Sequence, residues 1–378
     1  MNSKELRPLA IYVHIPFCEQ KCKYCDFLSA QATDEKKYKY VNALLHEIMH
    51  TDGSHHIVTS VFIGGGTPSC VQSFYIVKIM SALRRRFKFA DDVEITMEVN
   101  PGTVRKSSLA DYKLAGVNRL SIGLQSTFDD ELRKLGRIHD YKIFLNTYGI
   151  VRAAGFDNVN IDLMSSLPKQ TVEKMQISLE RVVGLHPEHI SVYSLIVEEG
   201  TPFAKMEAEG KLELPDENTE IEIDEMTRKY LSDHGYMRYE ISNFSKPGFE
   251  CRHNLVYWNR GEYMGFGIGA ASLMGHTRFS NTRNIKQYIA SNGMAGVKTQ
   301  ILSDKDEMEE FMFLGLRKVE GVSEVDFKNY FGQEMKDVYG KILEKQQSEG
   351  MIEHLKDRWA FSEKGMDVSN TLMAEYLF

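Results

Sequence analysis

The sequence of 378 residues has only five cysteines, nine prolines and two tryptophans, and it contains no apolar run long enough to span a bilayer. Its first ten residues lack the apolar segment of a secretory signal and the Arg- and Ser-rich composition of a transit peptide. We therefore expect a cytoplasmic protein whose thiols stay reduced. An odd number of cysteines, three of them close together, does not make a disulfide framework and indicates metal binding or catalysis.

The sequence also lacks the strongly basic segment that nucleic-acid binding would need. Its net charge is −7, and residues 301–378 hold 10 Lys and Arg against 17 Asp and Glu, whereas the two signs balance in residues 1–300. Because phosphate binding needs a basic face, we expect no nucleic acid among the partners of this protein.

Short apolar strands alternate with amphipathic helical patterns over the first two-thirds of the sequence. This alternation predicts an α/β fold in which helices cover a parallel sheet. About six such units would close most of a TIM-like barrel, giving a partial (β/α)6 barrel, and periodicity leaves an open doubly wound sheet as the alternative. The predicted strands are residues 10–15, 60–63, 93–98, 119–124, 158–163 and 189–196.

Composition and pattern divide the chain into three predicted segments. Residues 1–200 form the partial-barrel core, and residues 201–300, where the pattern loosens, extend that core and contain the stretch HNLVYW. For residues 301–378 the pattern predicts a smaller C-terminal α+β domain of winged-helix-like order, with a β-hairpin that turns at Lys356 and Asp357. Its acidic charge argues against DNA binding and favours a lid or a packing module.

Three cysteines follow the first predicted strand, with the spacing Cys18-x3-Cys22-x2-Cys25. A structural zinc ion needs four protein ligands, and the fourth would have to come from His14 or from the distant stretch 251–253. Three thiolates instead match a [4Fe–4S] cluster in which one iron lacks a cysteine. Such an iron can chelate a small molecule through an amine and a carboxylate, as radical chemistry based on S-adenosylmethionine (SAM) requires. A zinc site completed from afar is the minor alternative.

This spacing, with an aromatic residue before the last cysteine, resembles the radical SAM superfamily. The longer run YVHIPFCEQKCKYCDF resembles its oxygen-independent coproporphyrinogen III oxidase-like family, which belongs to porphyrin metabolism. The resemblance implies a [4Fe–4S] cluster on the three cysteines and a bound SAM. It also implies the residues that contact SAM, which are Tyr12, Tyr24, Gly65, Gly66, Thr67, Glu98, Gln125, Arg137, Asp162 and Ile196.

Several of these residues stand at the ends of predicted strands, where α/β folds place their sites. The glycine run at residues 64–66 is typical of a tight turn, or of bare backbone that lets a ligand's amino group approach closely. Glu98, Gln125 and Asp162 together offer acceptors for ribose hydroxyls and an ammonium, although each alone is more often a satisfied polar residue. Arg137 suits a carboxylate, and without the resemblance it would be a solvated arginine at a helix end.

The sequence departs from the oxidases at two points. Coproporphyrinogen dehydrogenases are similar but have a further cysteine two places after the third, where this chain has Phe27, and they have a longer N-terminal extension. Both differences favour the heme chaperone branch, the HemW-like proteins. We therefore predict a protein that binds heme and transfers it to acceptor proteins, with the cluster and SAM regulating the transfer. The alternative is a radical SAM enzyme, either the oxidase itself or a related tetrapyrrole-modifying or methyl-transferring enzyme.

The stretch CRHNLVYW, residues 251–258, fits the same branch. His253 is the predicted ligand of the heme iron, and Tyr257 and Trp258 offer a macrocycle a flat apolar surface. An equally weighted alternative is that His253 hydrogen-bonds a loop while Trp258 packs in the core.

The expected partners follow from the resemblance. They are heme and heme-acceptor proteins, with flavodoxin or ferredoxin as a suitable reductant and a dimer as one expected assembly. Contact with a membrane surface is expected only through an acceptor. In the core, Ser165 and Ser166 stand where the family commonly has Tyr and Gly, which leaves the geometry of that loop open.

Overall fold

A computed structural model of the chain describes residues 6–377; residues 1–5 and Phe378, at the two ends of the predicted segments, lie outside it. Six parallel strands form the centre, and each pairs with the next one in sequence. This is the order of a barrel wall, whereas a doubly wound sheet reverses at a switch point, so the predicted α/β partial barrel is confirmed. The strands are β1 (Arg7–Ile15), β2 (His56–Gly65), β3 (Lys88–Val99), β4 (Arg119–Gln125), β5 (Val159–Ser165) and β6 (His189–Ser194).

Period-two alternation gives each of these strands two different faces. In β4, Leu120, Ile122 and Leu124 are fully buried in the main apolar core. Arg119 and Ser121, at the alternate positions of the same strand, line the interior of the barrel instead. The outer face of the strand therefore builds the core, and the inner face carries the polar side chains.

Eight helices follow the strands of this wall. Five of them begin at a side chain that accepts a backbone N–H of the first turn. These side chains are Thr33, Asp140, Thr171, Thr201 and Asp216. Within residues 6–377, no helix combines the length and the apolar character that a bilayer crossing requires. The helices are α1 (Asp34–His50), α2 (Ser73–Arg86), α3 (Lys106–Leu114), α4 (Asp129–Leu135), α5 (Tyr141–Ala153), α6 (Val172–Val183), α7 (Pro202–Ala208) and α8 (Glu217–Asp233), with a 3-10 turn at Pro68–Cys70 after β2.

Residues 237–301 extend both edges of the six-stranded wall. The elements are β7 (Met237–Arg238), β8 (Asn243–Ser245), α9 (Arg252–Trp258), β9 (Tyr263–Phe266), β10 (Ala271–Met274), β11 (Thr277–Ser280), α10 (Ile285–Ala290) and β12 (Lys298–Ile301). β8 pairs antiparallel with β6, and β9 pairs parallel with β1. In the described sheet β1 and β6 are thus not neighbours, and the barrel stays open on this side.

The C-terminal residues build a second, smaller apolar core. Its elements are α11 (Asp304–Gly315), β13 (Val322–Ser323), α12 (Glu324–Phe331), α13 (Met335–Ser348), β14 (Ile352–Leu355), β15 (Arg358–Phe361), α14 (Glu363–Asp367) and α15 (Ser369–Ala374). β14 and β15 pair antiparallel around Lys356 and Asp357, where the hairpin was predicted. The order helix, strand, two helices and hairpin fits the winged-helix-like prediction, and the domain division at residue 301 stays a prediction.

Buried ion pairs join this second core to the barrel. Arg260 contacts Glu307 (2.9 Å) and Glu310 (3.0 Å), and Arg278 also pairs with Glu310. Because these contacts are nearly buried, breaking one would leave a charge without its partner. The C-terminal residues are therefore fixed against the elements that follow the barrel strands.

Ser166 lies just after β5 with a φ of 56°, in the left-handed region that favours glycine. Ser166→Gly should therefore raise the free energy of unfolding by about 0.5–1 kcal/mol, measured by denaturant titration. The matched control is Ser165→Gly, inside the strand, which should lower it by a similar amount. Equal losses for both variants would contradict the expectation.

Candidate functional site

The cysteine loop, residues 16–30, leaves the carboxyl end of β1 and folds back on itself. Cys18 donates its N–H to the carbonyl of Ala30 (3.2 Å), and Ala30 donates its own to the carbonyl of Pro16 (3.0 Å). The buried Phe17 anchors the base of the loop in the main core. Between these ties the three cysteines of the motif are half-buried thiols that form no disulfide.

Polar groups from two later parts of the chain approach the sulfurs. The Thr67 hydroxyl donates to Cys18 Sγ (3.5 Å), and Arg137 Nη1 donates to Cys22 Sγ (3.6 Å). Asn100 joins the two, since its amide donates to Thr67 Oγ1 (2.7 Å) and accepts from Arg137 Nη2 (2.7 Å). Hydrogen bonds to sulfur are among the contacts with which proteins tune iron–sulfur clusters. Three thiols with such neighbours fit a [4Fe–4S] cluster.

One cavity of about 420 Å³ opens beside the cysteine loop at the carboxyl ends of the strands. Its volume lies in the range of small-molecule sites. Eleven of the fourteen predicted site residues line it, namely Cys18, Cys22, Tyr24, Cys25, Gly65, Gly66, Thr67, Glu98, Gln125, Arg137 and Asp162. The fold therefore brings together predicted residues from the cysteine loop, from four strands or strand ends and, with Arg137, from the segment after α4.

Two buried acids make the cavity receptive to a positive charge. Glu98, at the end of β3, accepts the backbone N–H of Gly65 (3.0 Å). Burial and the negative charge of Asp162 raise the pKa of Glu98 to about 8. Asp162 accepts hydrogen bonds from Ser121 (3.1 Å) and Asn160 (2.7 Å), and burial raises its pKa as well. A cationic ligand group near these acids would favour their charged forms.

The glycine turn after β2 is required by packing. A Cβ on Gly65, whose φ is 108°, would lie 2.3 Å from His14 Nδ1. One on Gly66 would lie 2.6 Å from the carbonyl oxygen of Phe17. The same backbone forms part of the cavity wall. Close packing alone explains why these positions are glycine, and the contact with a ligand's amino group stays a prediction.

Gln125 and Arg137 line the cavity, the first with a strained backbone conformation and the second with a side chain fixed by a hydrogen bond. Gln125 has a φ of 73°, and the pairing of β4 with β5 shifts register between Gly123 and Gln125. A left-handed residue that is not glycine costs of order 1 kcal/mol and often marks a functional site. Arg137 Nη2 donates to the carbonyl of Gly123 (2.5 Å), which fixes the guanidinium in this wall.

Three predicted residues are not part of the cavity lining. Tyr12 points its hydroxyl at His14 Nδ1 (3.0 Å). Ile196, which follows β6, is 64% exposed. The third is His253, which lies in α9. The SAM contacts predicted for Tyr12 and Ile196 stay predictions.

His253 is 1% exposed, and both of its ring nitrogens have partners. Nδ1 lies 2.9 Å from the Ser60 hydroxyl, and Nε2 lies 3.0 Å from that of Tyr257. Burial and the positive charge of Arg119 lower the pKa of His253 to about 3, so the ring is neutral. This is the arrangement of the alternative in which His253 hydrogen-bonds its surroundings. The heme-ligand assignment stays a prediction that this geometry does not favour.

Polar residues that the sequence did not single out line the rest of the cavity. They are Gln20, Lys21, Asn100, Arg119, Ser121, Asn160, Ser191, Tyr193 and Asn243. In RLSIG, NID and HISVY, polar residues occupy every second position of a strand whose other residues are apolar. That alternation was the signal that could have found most of them.

No group of three or more His, Cys, Asp and Glu side chains within residues 6–377 is arranged to hold one metal ion. A zinc ion would need its ligands to converge in this way, so the zinc alternative gains no support. Thiolates that bind different irons of a cluster do not need to converge on one point.

Comparison with known proteins finds similarity over the whole chain. The Radical SAM superfamily matches residues 12–182, and the HemN C-terminal domain matches residues 302–368. The heme chaperone HemW of Bacillus subtilis is 38% identical, over 97% of this chain and 98% of its own length. The heme chaperone HemW of Escherichia coli is 34% identical over 99% of both chains.

A solved structure also matches over nearly the full length. Coproporphyrinogen III oxidase (HemN) from Escherichia coli, a radical SAM enzyme, has a TM-score of 0.85 and 25% sequence identity. The match covers 99% of this chain and 91% of that chain, so the barrel and the C-terminal residues are both included.

The raised pKa of Glu98 predicts how stability depends on pH. Between its ordinary value of 4.5 and about 8, the folded chain holds one more proton than the unfolded chain. Stability should therefore fall as pH rises through this window, by roughly 1.4 kcal/mol per pH unit. Glu98→Gln removes that loss, so its advantage over the wild type in thermal melting should widen from pH 5 to pH 8.

The control is Glu344→Gln on an exposed helix face. It should show no advantage that widens with pH. A constant difference between Glu98→Gln and the wild type across the window would contradict the assignment of a raised pKa to Glu98.

Proposed function

Since this chain belongs to the HemW family within the radical SAM superfamily, we propose that it binds heme and transfers it to acceptor proteins. We further propose that it carries a [4Fe–4S] cluster on Cys18, Cys22 and Cys25 and binds SAM in the adjoining cavity. The observation that carries the proposal is that these three thiols and eight of the ten predicted SAM contacts line one cavity.

Each group in the cavity wall suits one part of SAM. Glu98 and Asp162 are buried acids that would accept the ligand's ammonium and ribose hydroxyls, and Gln125 adds a further polar contact. Arg137 offers its remaining donors to the carboxylate. When bound, the cluster and SAM would supply one-electron chemistry, while the chain's own residues hold and orient them.

Phe27 supports the assignment to a chaperone. It stands where the oxidase resemblance calls for a cysteine, lines the cavity and is 60% exposed. An exposed aromatic ring at this position offers a planar macrocycle an apolar contact instead of a further thiol. Flavodoxin or ferredoxin as reductant, a dimer, and the cytoplasm as location are proposed with it.

The second candidate is oxidation of coproporphyrinogen. Its support is the likeness to the Escherichia coli oxidase, whose fold matches over 99% of this chain. The two candidates share the cluster and SAM and differ in whether a tetrapyrrole is bound or consumed.

The deciding experiment is anaerobic cluster reconstitution followed by two parallel assays. We expect heme titration to saturate at a defined stoichiometry and the bound heme to pass to an apo acceptor protein. We expect no turnover of coproporphyrinogen in the presence of SAM and a reductant. Turnover of coproporphyrinogen with no transfer of heme would reject the chaperone proposal in favour of the enzyme.

Cys18→Ser should abolish the visible absorption of the reconstituted cluster, because the loop then supplies only two thiolates. Cys70→Ser is the matched control, since Cys70 lies outside the cavity lining and burial raises its pKa to about 11. We expect the control to retain the wild-type absorption and iron content. Retention of the cluster in Cys18→Ser would reject the ligand assignment.

A further inference from the structure

Arg119 is a buried cation whose donors find no acceptor among the described residues, 6–377. It is the first residue of β4, lines the cavity and is only 2% exposed. Within residues 6–377, no hydrogen bond or ion pair engages its guanidinium, and its Nε is buried without a partner. Leaving a buried charged donor unsatisfied costs more than a typical hydrogen bond contributes. A group that enters the cavity would remove this cost.

The two acids near Arg119 direct their oxygens elsewhere. Glu94 accepts the backbone N–H groups of Arg252 (3.1 Å) and His253 (3.2 Å) at the start of α9. Asp162 accepts from Ser121 and Asn160, as described above. Both carboxylates interact with the charge of Arg119 but neither accepts a hydrogen bond from it.

Arg119 also lies at a different position along β4 from the residue that Arg137 contacts. Arg137 donates to the carbonyl of Gly123, four residues along β4 from Arg119. Four strand residues span about 13 Å. The cavity therefore has one guanidinium near the cysteine loop and another near the start of β4. A ligand with a single carboxylate cannot engage both at once.

We propose that Arg119 binds a carboxylate carried by a ligand of this cavity. A guanidinium fork matches a carboxylate with two parallel hydrogen bonds. The inference rests on the proposed function, in which Arg137 takes the carboxylate of SAM, so the group expected at Arg119 is a heme propionate. The carboxylate of SAM is the second source, which the test distinguishes. Ser121, Ser191 and Asn243 line the same cavity and offer further polar contacts.

The test compares each ligand with a counterpart that lacks the carboxylate. The probes are iron protoporphyrin IX against its dimethyl ester, and SAM against decarboxylated SAM. Each is titrated into the reconstituted full chain and its Arg119→Met variant. The wild type should prefer the carboxylate form of at least one pair, and Arg119→Met should lose that preference by roughly 10- to 100-fold.

The pair that loses its preference identifies the source of the carboxylate. Arg119→Lys keeps the charge without the fork and should lose part of the preference; it also decides the matter should Arg119→Met fail to fold. Arg85→Met, on the exposed face of α2, is the matched control and should bind as the wild type does.

Unchanged preferences in a folded Arg119 variant would overturn the inference. That failure differs from failure of the proposed function, because in the latter case the wild type itself would bind neither heme nor SAM.

Discussion

The two-faced strand is the constraint on which the rest of this molecule depends. In the six parallel strands, one set of alternate residues is apolar and packs beneath the helices, which holds the sheet in place. The other set faces an interior that is lined by polar side chains and remains a cavity. Barrels of this kind are more often filled by layers of branched apolar residues. Here the inner face is left for a ligand, and the cysteine loop stands at its mouth.

The strands, the cysteine motif and most of the site residues could be predicted, because their signals in the sequence are local. Strand alternation is visible within six or seven residues, and the cysteine spacing within eight. The carboxyl ends of parallel strands meet at one edge, so Glu98 and Gln125 at strand ends, and Asp162 three residues before the end of β5, were expected on the side of the thiols. The order of the strands was not predictable in the same way. A barrel and a doubly wound sheet have the same local pattern, and only the pairing of each strand with the next separates them.

What the sequence left open depends on contacts between distant residues. The environment of His253 is set by Ser60, almost two hundred positions earlier in the chain. Arg119 is an ordinary strand residue in the sequence. Only the folded structure shows that its Nε is buried without a hydrogen-bond partner. The left-handed φ of Gln125 likewise has no signature in the residue itself, since glutamine rarely adopts it.

The open side of the barrel affects how the width of its interior can change. In a closed barrel, strand number and shear fix the diameter, so the bore cannot alter without rebuilding every strand. Here the wall ends at β1 and β6, and β9 and β8 form its margins. Its curvature is therefore set in part by these short peripheral strands. Substitutions in those margins can widen or narrow the interior while the cysteine loop stays intact, which makes the scaffold adaptable to ligands of different size.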